Sequence, residues 1–324
     1  MKTVSRVVNK ERNVAEQTRQ QVLCVIDELG YVPHVQAQRL ASGKTRSIVL
    51  HYPLSTPDLF SNVIEMNFIT GTALGAAEEE YYFSLMTGPL TSAGLIKLCR
   101  GAQADGLVLM QIAVHDWRVE LLRENDYPFV MIGRCGNNEG LSFIDLDFEN
   151  AVIEAFAHLI GLGHQQIGFL TFPQEWRSQG IGVAIYSLQG FRSAVRKFSL
   201  TPLYRESDLV VKKAYSAVKS LLEENPCLTA FVTMHNTLAV GAITALQKMN
   251  RKVPDDCSIV GVPVGDEGEL IIPPLTGIEW SSHEIGQQAA RMLIRKLTGT
   301  SPRFEQILVP PKLKLRHSTA PASR

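Results

Sequence analysis

Few residues in this chain could do chemistry, and their spacing limits what that chemistry could be. His158 and His164 are six residues apart, the wrong spacing for two ligands on one helix face, and Gly163 interrupts the helical pattern before His164. Structural roles are expected for both, with no metal. Gly180-Ile181-Gly182 is too short for a dinucleotide loop and has no third glycine in phase. No Ser-His-Asp, His-Glu-x-x-His or phosphate-loop pattern occurs, so neither catalysis nor a cofactor is expected. Cys24, Cys99, Cys135, Cys227 and Cys257 are odd in number and include no Cys-x-x-Cys pair. They read as free thiols in a reducing compartment.

Charge carries a second signal. The 324 residues have a formal net charge of +0, but residues 1–46 hold eight Lys/Arg against four Asp/Glu. The head is therefore +4 and the remainder −4. A basic head on a mildly acidic body fits a polyanion-binding module joined to something else, although a solvated charged helix shows the same bias.

The elements that must position these residues fall into two groups. The head reads as three helical segments: Thr3 to Asn9, Ala15 to Leu29 with a stripe of Val22, Leu23, Val25, Ile26 and Leu29, and Val35 to Ala41. Gly30 closes the second, Pro33 opens the third, and Ser42-Gly43 ends it. After residue 46, apolar runs alternate with helical segments. Strands are expected at 47–52, 82–86, 106–110, 129–132, 143–145, 167–171, 230–232, 258–262, 277–279 and 307–309. Helices include 151–162, 188–197, 212–224, 238–249 and 283–297. Ten strands are too many for one tidy sheet, so the fold class is α/β with two doubly wound parallel-sheet lobes and a ligand at the cleft beyond the strand ends.

Composition is that of an ordinary globular protein, with 45% hydrophobic and 20% charged residues. No stretch approaches the roughly 20 apolar residues a membrane span needs. The N-terminus has no apolar signal-peptide core, so a cytoplasmic protein without a membrane partner is expected.

Thr3-Val4-Ser5-Arg6-Val7-Val8-Asn9 resembles the recognition helix of the LacI/GalR family of transcriptional regulators. Val14, Thr18-Arg19, Val22 and Leu29-Gly30-Tyr31-Val32-Pro33 resemble that family's third helix and exit, and Ala37-Gln38-Arg39-Leu40-Ala41 its hinge helix. Ile132-Gly133-Arg134, Asp147, Leu162-Gly163-His164, Val253-Pro254-Asp255 and Pro274-Leu275-Thr276 follow in order, so the resemblance covers essentially the whole chain.

It implies a periplasmic-binding-protein-like type I body with an N-terminal all-α helix-turn-helix head. The implied divisions are 1–46 for the head and hinge, 47–162 plus 280–306 for the first lobe, and 163–279 plus 307–324 for the second. It also implies operator DNA as a partner, contacted by Lys2, Thr3, Ser5, Arg6, Asn9, His34 and Leu40. Arg6 can present a bidentate fork to guanine, and Thr3 and Ser5 can reach phosphate or base unless they simply cap the helix. Val4, Val7 and Val8 are expected to pack inward. Leu40 matches a leucine that wedges between base steps, the alternative being packing on its dimer mate. Family members carry a further helix and turn before the recognition helix. Met1 falls about where that turn finishes, so the head reads as incomplete and the chain as truncated within the motif.

In sugar-responsive relatives the resemblance places an arginine, an Asn-Asp pair and an aspartate where this chain has Ser187, His235-Asn236 and Pro263. Leu209 stands for an aromatic, and Trp280 for a polar residue. The expected effector site is Asp147, Trp176, Ser187, Leu209, His235, Asn236 and Trp280. It would be less acidic and more aromatic than a typical sugar site. The implied function is a homodimeric, ligand-responsive repressor with a sugar-like or aromatic effector. A cytoplasmic small-molecule-binding protein that has lost operator binding is the alternative.

Overall fold

The computed structural model describes residues 2–8, 14–30, 45–53, 63–101, 103–300 and 304–322, without the side chains of Lys2, Ser5 and Val8. Asn9, His34 and Leu40, and the hinge helix expected at 35–41, lie outside the described residues.

Among the described residues the head has two helices, α1 (Lys2–Val8) and α2 (Glu16–Glu28). Val7 is buried between them, but Val4 is 41% exposed, which corrects the expectation that it packs inward. It lines an open apolar groove with Val22, Val25, Ile26 and Leu29.

Among the described residues the body has two six-stranded sheets. The first runs β11 (Gln306–Val309), β5 (Phe143–Leu146), β4 (Phe129–Ile132), β3 (Gly106–Leu109), β1 (Ser47–His51), β2 (Tyr82–Met86), all parallel. Its inner strands are buried on both faces, which is why they read as unbroken apolar runs. Helices α3 (Val63–Glu78) and α11 (Ser282–Thr298) pack together on one face. Gly71, Gly75 and Gly286 let their backbones meet, since a Cβ on Gly71 would run into the His283 carbonyl. The core of the other face takes Leu95 and Leu98 from α4 (Ser92–Arg100) and Val119 and Leu122 from α5 (Trp117–Glu124).

The second sheet runs β12 (Leu313–Lys314), β10 (Gly277–Glu279), β9 (Ser258–Val264), β8 (Ala230–Thr233), β6 (Ile167–Thr171), β7 (Leu203–Glu206), parallel except for β12. Packed on it are α6 (Phe148–Gly161), α8 (Gly182–Phe198), α9 (Val211–Glu224) and α10 (Asn236–Lys248). A short α7 (Gln174–Ser178) follows β6. Phe156, Phe169 and Phe191 join α6, β6 and α8 in one aromatic cluster, the Phe169 and Phe191 rings stacked at 4.8 Å.

Two boundaries differ from expectation. Helix α6 buries Ala151, Val152, Ala155, Phe156 and Leu159 against the second lobe, so the first crossing follows β5 directly and is not at 162. Strand β11 pairs with β5, so the last crossing follows Val309 and is not at 306. Strand β7 was not expected. It is a half-exposed edge strand, Leu-Tyr-Arg-Glu, without an apolar run.

Among the described residues no helix is long and apolar enough to cross a membrane. All five cysteines are unpaired. His158 and His164 hold the terminal segment. His158 Nε2 lies 3.2 Å from Thr319 Oγ1, and His164 Nε2 lies 3.0 Å from the Ala320 carbonyl.

Candidate functional site

In both sheets strand order reverses beside the first strand of the lobe, and there the loops leaving neighbouring strand ends part to opposite sides. The C-terminal strand ends of the two sheets face one another. Tyr52 follows β1, Met110 and Gln111 follow β3, and Arg134 follows β4. Opposite them, Phe172 follows β6, Met234 and His235 follow β8, and Pro263 sits in β9. Together they line a half-open cavity of about 130 Å3.

Most of its wall is apolar and aromatic. Trp280, between β10 and α11, packs edge-on to Phe68 of α3 at 6.5 Å and tilted against Phe148 of α6 at 6.4 Å. It therefore touches both lobes. Across the cavity Trp176 of α7 stacks on Phe172 at 5.2 Å. Ile64, Leu209 and Met234 add to the apolar lining.

Besides the Gln111 amide, two polar groups interrupt the apolar wall. The first is Glu65, on the buried face of α3. Tyr52 donates its hydroxyl to Glu65 Oε1 at 3.4 Å, and His235 Nε2 lies 3.9 Å from the same oxygen. Glu65 Oε2 is buried without a hydrogen-bond partner. Burial pushes the Glu65 carboxyl up to about 7 and the His235 imidazole down to about 4. His235 Nδ1 accepts from the Thr237 amide at 3.1 Å, capping α10. The ring is neutral at pH 7, so its approach to Glu65 is not an ion pair there.

The second is Arg134 with Asp145. Their atoms meet at 2.8 Å, and Arg134 also donates to the Leu146 carbonyl. Burial pushes the Asp145 carboxyl up to about 7, while the guanidinium pulls the other way. Arg134 stacks 4.0 Å above the ring of Tyr186 in the second lobe, and Tyr186 donates to the Cys135 carbonyl at 2.8 Å. Beside this contact the lobes share backbone hydrogen bonds. Val114 donates to Gly180 and Gly182 to Ile112, each at 2.8 Å. One margin of the cleft is thus tied shut across the lobes.

Of the seven expected effector residues, Trp176, Leu209, His235 and Trp280 line the cavity. Asp147, Ser187 and Asn236 do not. Asp147 caps α6, accepting from the Asn150 amide at 3.2 Å and its Nδ2 at 2.7 Å. Ser187 is wholly buried in α8 and donates to the Ala184 carbonyl. Asn236 donates from Nδ2 to Glu267 Oε1 at 3.0 Å. Sequence reasoning missed Glu65, Tyr52 and the Arg134–Asp145 pair. The available signal was an acid within an apolar run, in Val63-Ile64-Glu65-Met66 and in Phe143-Ile144-Asp145-Leu146.

In the head, Thr3 and Arg6 are exposed on α1. Among the described residues no group of three or more His, Cys, Asp or Glu could hold a metal ion.

Residues 1–34 match the lacI family of bacterial regulatory proteins, and residues 156–319 match the periplasmic binding protein-like domain. The regulator MalR of Streptomyces coelicolor is 31% identical over 346 residues, covering 99% of this chain and 93% of its own length. The chain belongs to the LacI family. It is accordingly a transcriptional regulator with a helix-turn-helix DNA-binding head and a periplasmic-binding-protein-like body. The LacI-family regulator CelR of Thermobifida fusca is 27% identical across 98% of this chain and 94% of its own. The solved CelR–cellobiose complex superposes with a TM-score of 0.73 at 26% identity, covering 97% and 94% of the two chains. The lac repressor dimer bound to operator and anti-inducer matches in fold with a TM-score of 0.83 at 22% identity, covering 98% and 95%.

Proposed function

We propose that this LacI-family chain is a cytoplasmic, homodimeric repressor without catalytic activity. In this reading its operator affinity is set by a small effector bound between the lobes. The observation that carries it is the cavity itself, closed by strand ends of both sheets and bridged by Trp280. A ligand filling such a space contacts both lobes at once. It therefore favours one lobe angle over another, and DNA affinity shifts because the two angles bind operator unequally.

The space is close to that of an engineered cavity of about 150 Å3 that holds benzene, so it accommodates a single ring. By size alone an aromatic ring or a single sugar ring is accommodated, and cellobiose in the CelR complex makes a sugar a necessary comparison probe. Two copies would read two half-sites, with Lys2, Thr3, Ser5, Arg6 and Asn9 at the major groove and His34 and Leu40 at the exit and hinge.

Selection from a random duplex pool tests the DNA half. An inverted repeat should be enriched. Arg6→Ala should then cost about 1–3 kcal/mol in operator affinity and relax preference at one base pair per half-site. Unchanged affinity and preference would remove Arg6 from base reading.

A further inference from the structure

We propose that the effector is an uncharged, single-ring aromatic molecule bearing one hydrogen-bond donor, of the phenol class, with that donor directed at Glu65. The inference rests on the inter-lobe cavity being the effector site. It deepens that reading by fixing the ligand's chemistry.

Three observations carry it. The first is the wall. Phe68, Phe148, Phe172, Trp176 and Trp280 present rings from both lobes, and ring pairs favour offset or edge-on contact with another aromatic ring. The second is the polar inventory. Arg134 and Asp145 pair with each other at 2.8 Å, and Arg134 also stacks on Tyr186. Above the Asp145 value of about 7 the pair is electrically balanced, which leaves no net positive charge there to hold a ligand carboxylate or phosphate. The third is Glu65. Glu65 as a residue is 8% exposed, Oε1 already receives the Tyr52 hydroxyl, and Oε2 has no partner. A buried acceptor left unmade carries a penalty that one donor from a ligand removes.

A pyranose fits this inventory poorly. It carries about five hydroxyls, each losing water on entry and each needing a partner. Among the described residues the second lobe brings no charged side chain to the wall, its Ser187 and Asn236 turn elsewhere, and His235 with Gln111 of the first lobe adds few partners for so many hydroxyls. A phenol loses water from one hydroxyl, and Glu65 Oε2 receives it. An aromatic acid such as 4-hydroxybenzoate adds a second negative charge beside Glu65 and is disfavoured.

Calorimetric titration of the full chain tests this with p-cresol, toluene, 4-hydroxybenzoate, glucose and cellobiose. At pH 8.5, above the Glu65 value of about 7, the wild type should bind p-cresol about ten- to a hundredfold more tightly than toluene, the value of a hydrogen bond to a charged group, and more tightly than either sugar or the acid. Glu65→Leu removes the acceptor but keeps the volume, so p-cresol and toluene should bind within about threefold of one another. A merely structural Glu65 would not erase that preference. Equal binding of p-cresol and toluene by the wild type, or absence of p-cresol binding, overturns the proposal without recourse to any variant. Tighter binding of glucose or cellobiose, lost in Trp176→Ala, overturns the ligand class and leaves the cavity as the effector site. Binding of p-cresol unaltered by both Trp176→Ala and Glu65→Leu overturns both readings, because the ligand would then lie elsewhere.

Discussion

Trp280→Ala is expected to lower the free energy of unfolding by about 3–5 kcal/mol, the usual loss when a buried tryptophan is cut to a methyl group. Trp280 is 6% exposed and packs against Phe68 in the first lobe and Phe148 in the second. Its amide donates to the Val264 carbonyl at 3.2 Å, which fixes the chain where it crosses between lobes. Neither ring neighbour can follow a shrinking side chain without leaving its own helix, so the cavity grows. Urea unfolding should show a lower midpoint. The melting temperature should fall by about 10 °C, at about 2–4 °C per kcal/mol for a body of this size. The same change should loosen coupling between ligand and DNA, because Trp280 touches both lobes and the ligand space. Trp280→Phe should recover part of both losses.

Asp116→Ala is expected to cost about as much, by electrostatics instead of packing. Asp116 sits under the first lobe's strand ends, where it caps α5 through the Arg118 amide at 3.0 Å. Its carboxylate takes both Nε and Nη2 of Arg118, at 2.9 and 2.6 Å, and Arg118 is itself 5% exposed. Removing the acid strands a buried guanidinium, which costs about 3–5 kcal/mol even where the intact pair adds little. Hydrogen bonds from Arg118 to the Met110 and Gln111 carbonyls shape the loop lining the cavity, so ligand affinity should weaken too.

The same cluster sets an acid limit. Arg118 holds the Asp116 carboxyl below its usual range despite burial. That stabilisation is present above the ordinary carboxylate pKa and is lost as pH falls through the depressed folded value. His51, 3.0 Å from Arg118, is pushed down from 6.5 to about 4 by burial and by the guanidinium. Between those values the unfolded chain takes up a proton that the folded chain refuses, so this contribution also shrinks as pH falls. A denaturation series on His51→Gln should show a shallower loss across that window.

Much of the fold was legible in sequence because buried parallel strands leave continuous apolar runs. Ser47–His51, Phe129–Ile132 and Ile167–Thr171 lie where those runs stand. Strand β7 was not legible, since an edge strand needs no apolar face and Leu-Tyr-Arg-Glu has little. The lobe boundary at α6 failed for a related reason. A helix pattern shows that one face is buried but not which sheet buries it, and α6 crosses before it packs. In the site, large rings announced themselves, as Trp176 and Trp280 did. Small polar residues did not, because Asp147 and Ser187 satisfy their hydrogen bonds with the nearest backbone groups, and only coordinates reveal that choice. Glu65 is the converse. Its helix reads as apolar, and the fold turns its one early acid into the site's unmet acceptor.

Linkage tests the central claim most directly. The tightest ligand of the calorimetric panel should be titrated into the regulator with and without saturating operator duplex. If the inter-lobe cavity governs DNA binding, the two affinities must differ by the same factor by which the ligand shifts operator affinity, about 5- to 150-fold for coupling of ordinary size. Equal ligand affinities in the presence and absence of operator would contradict it.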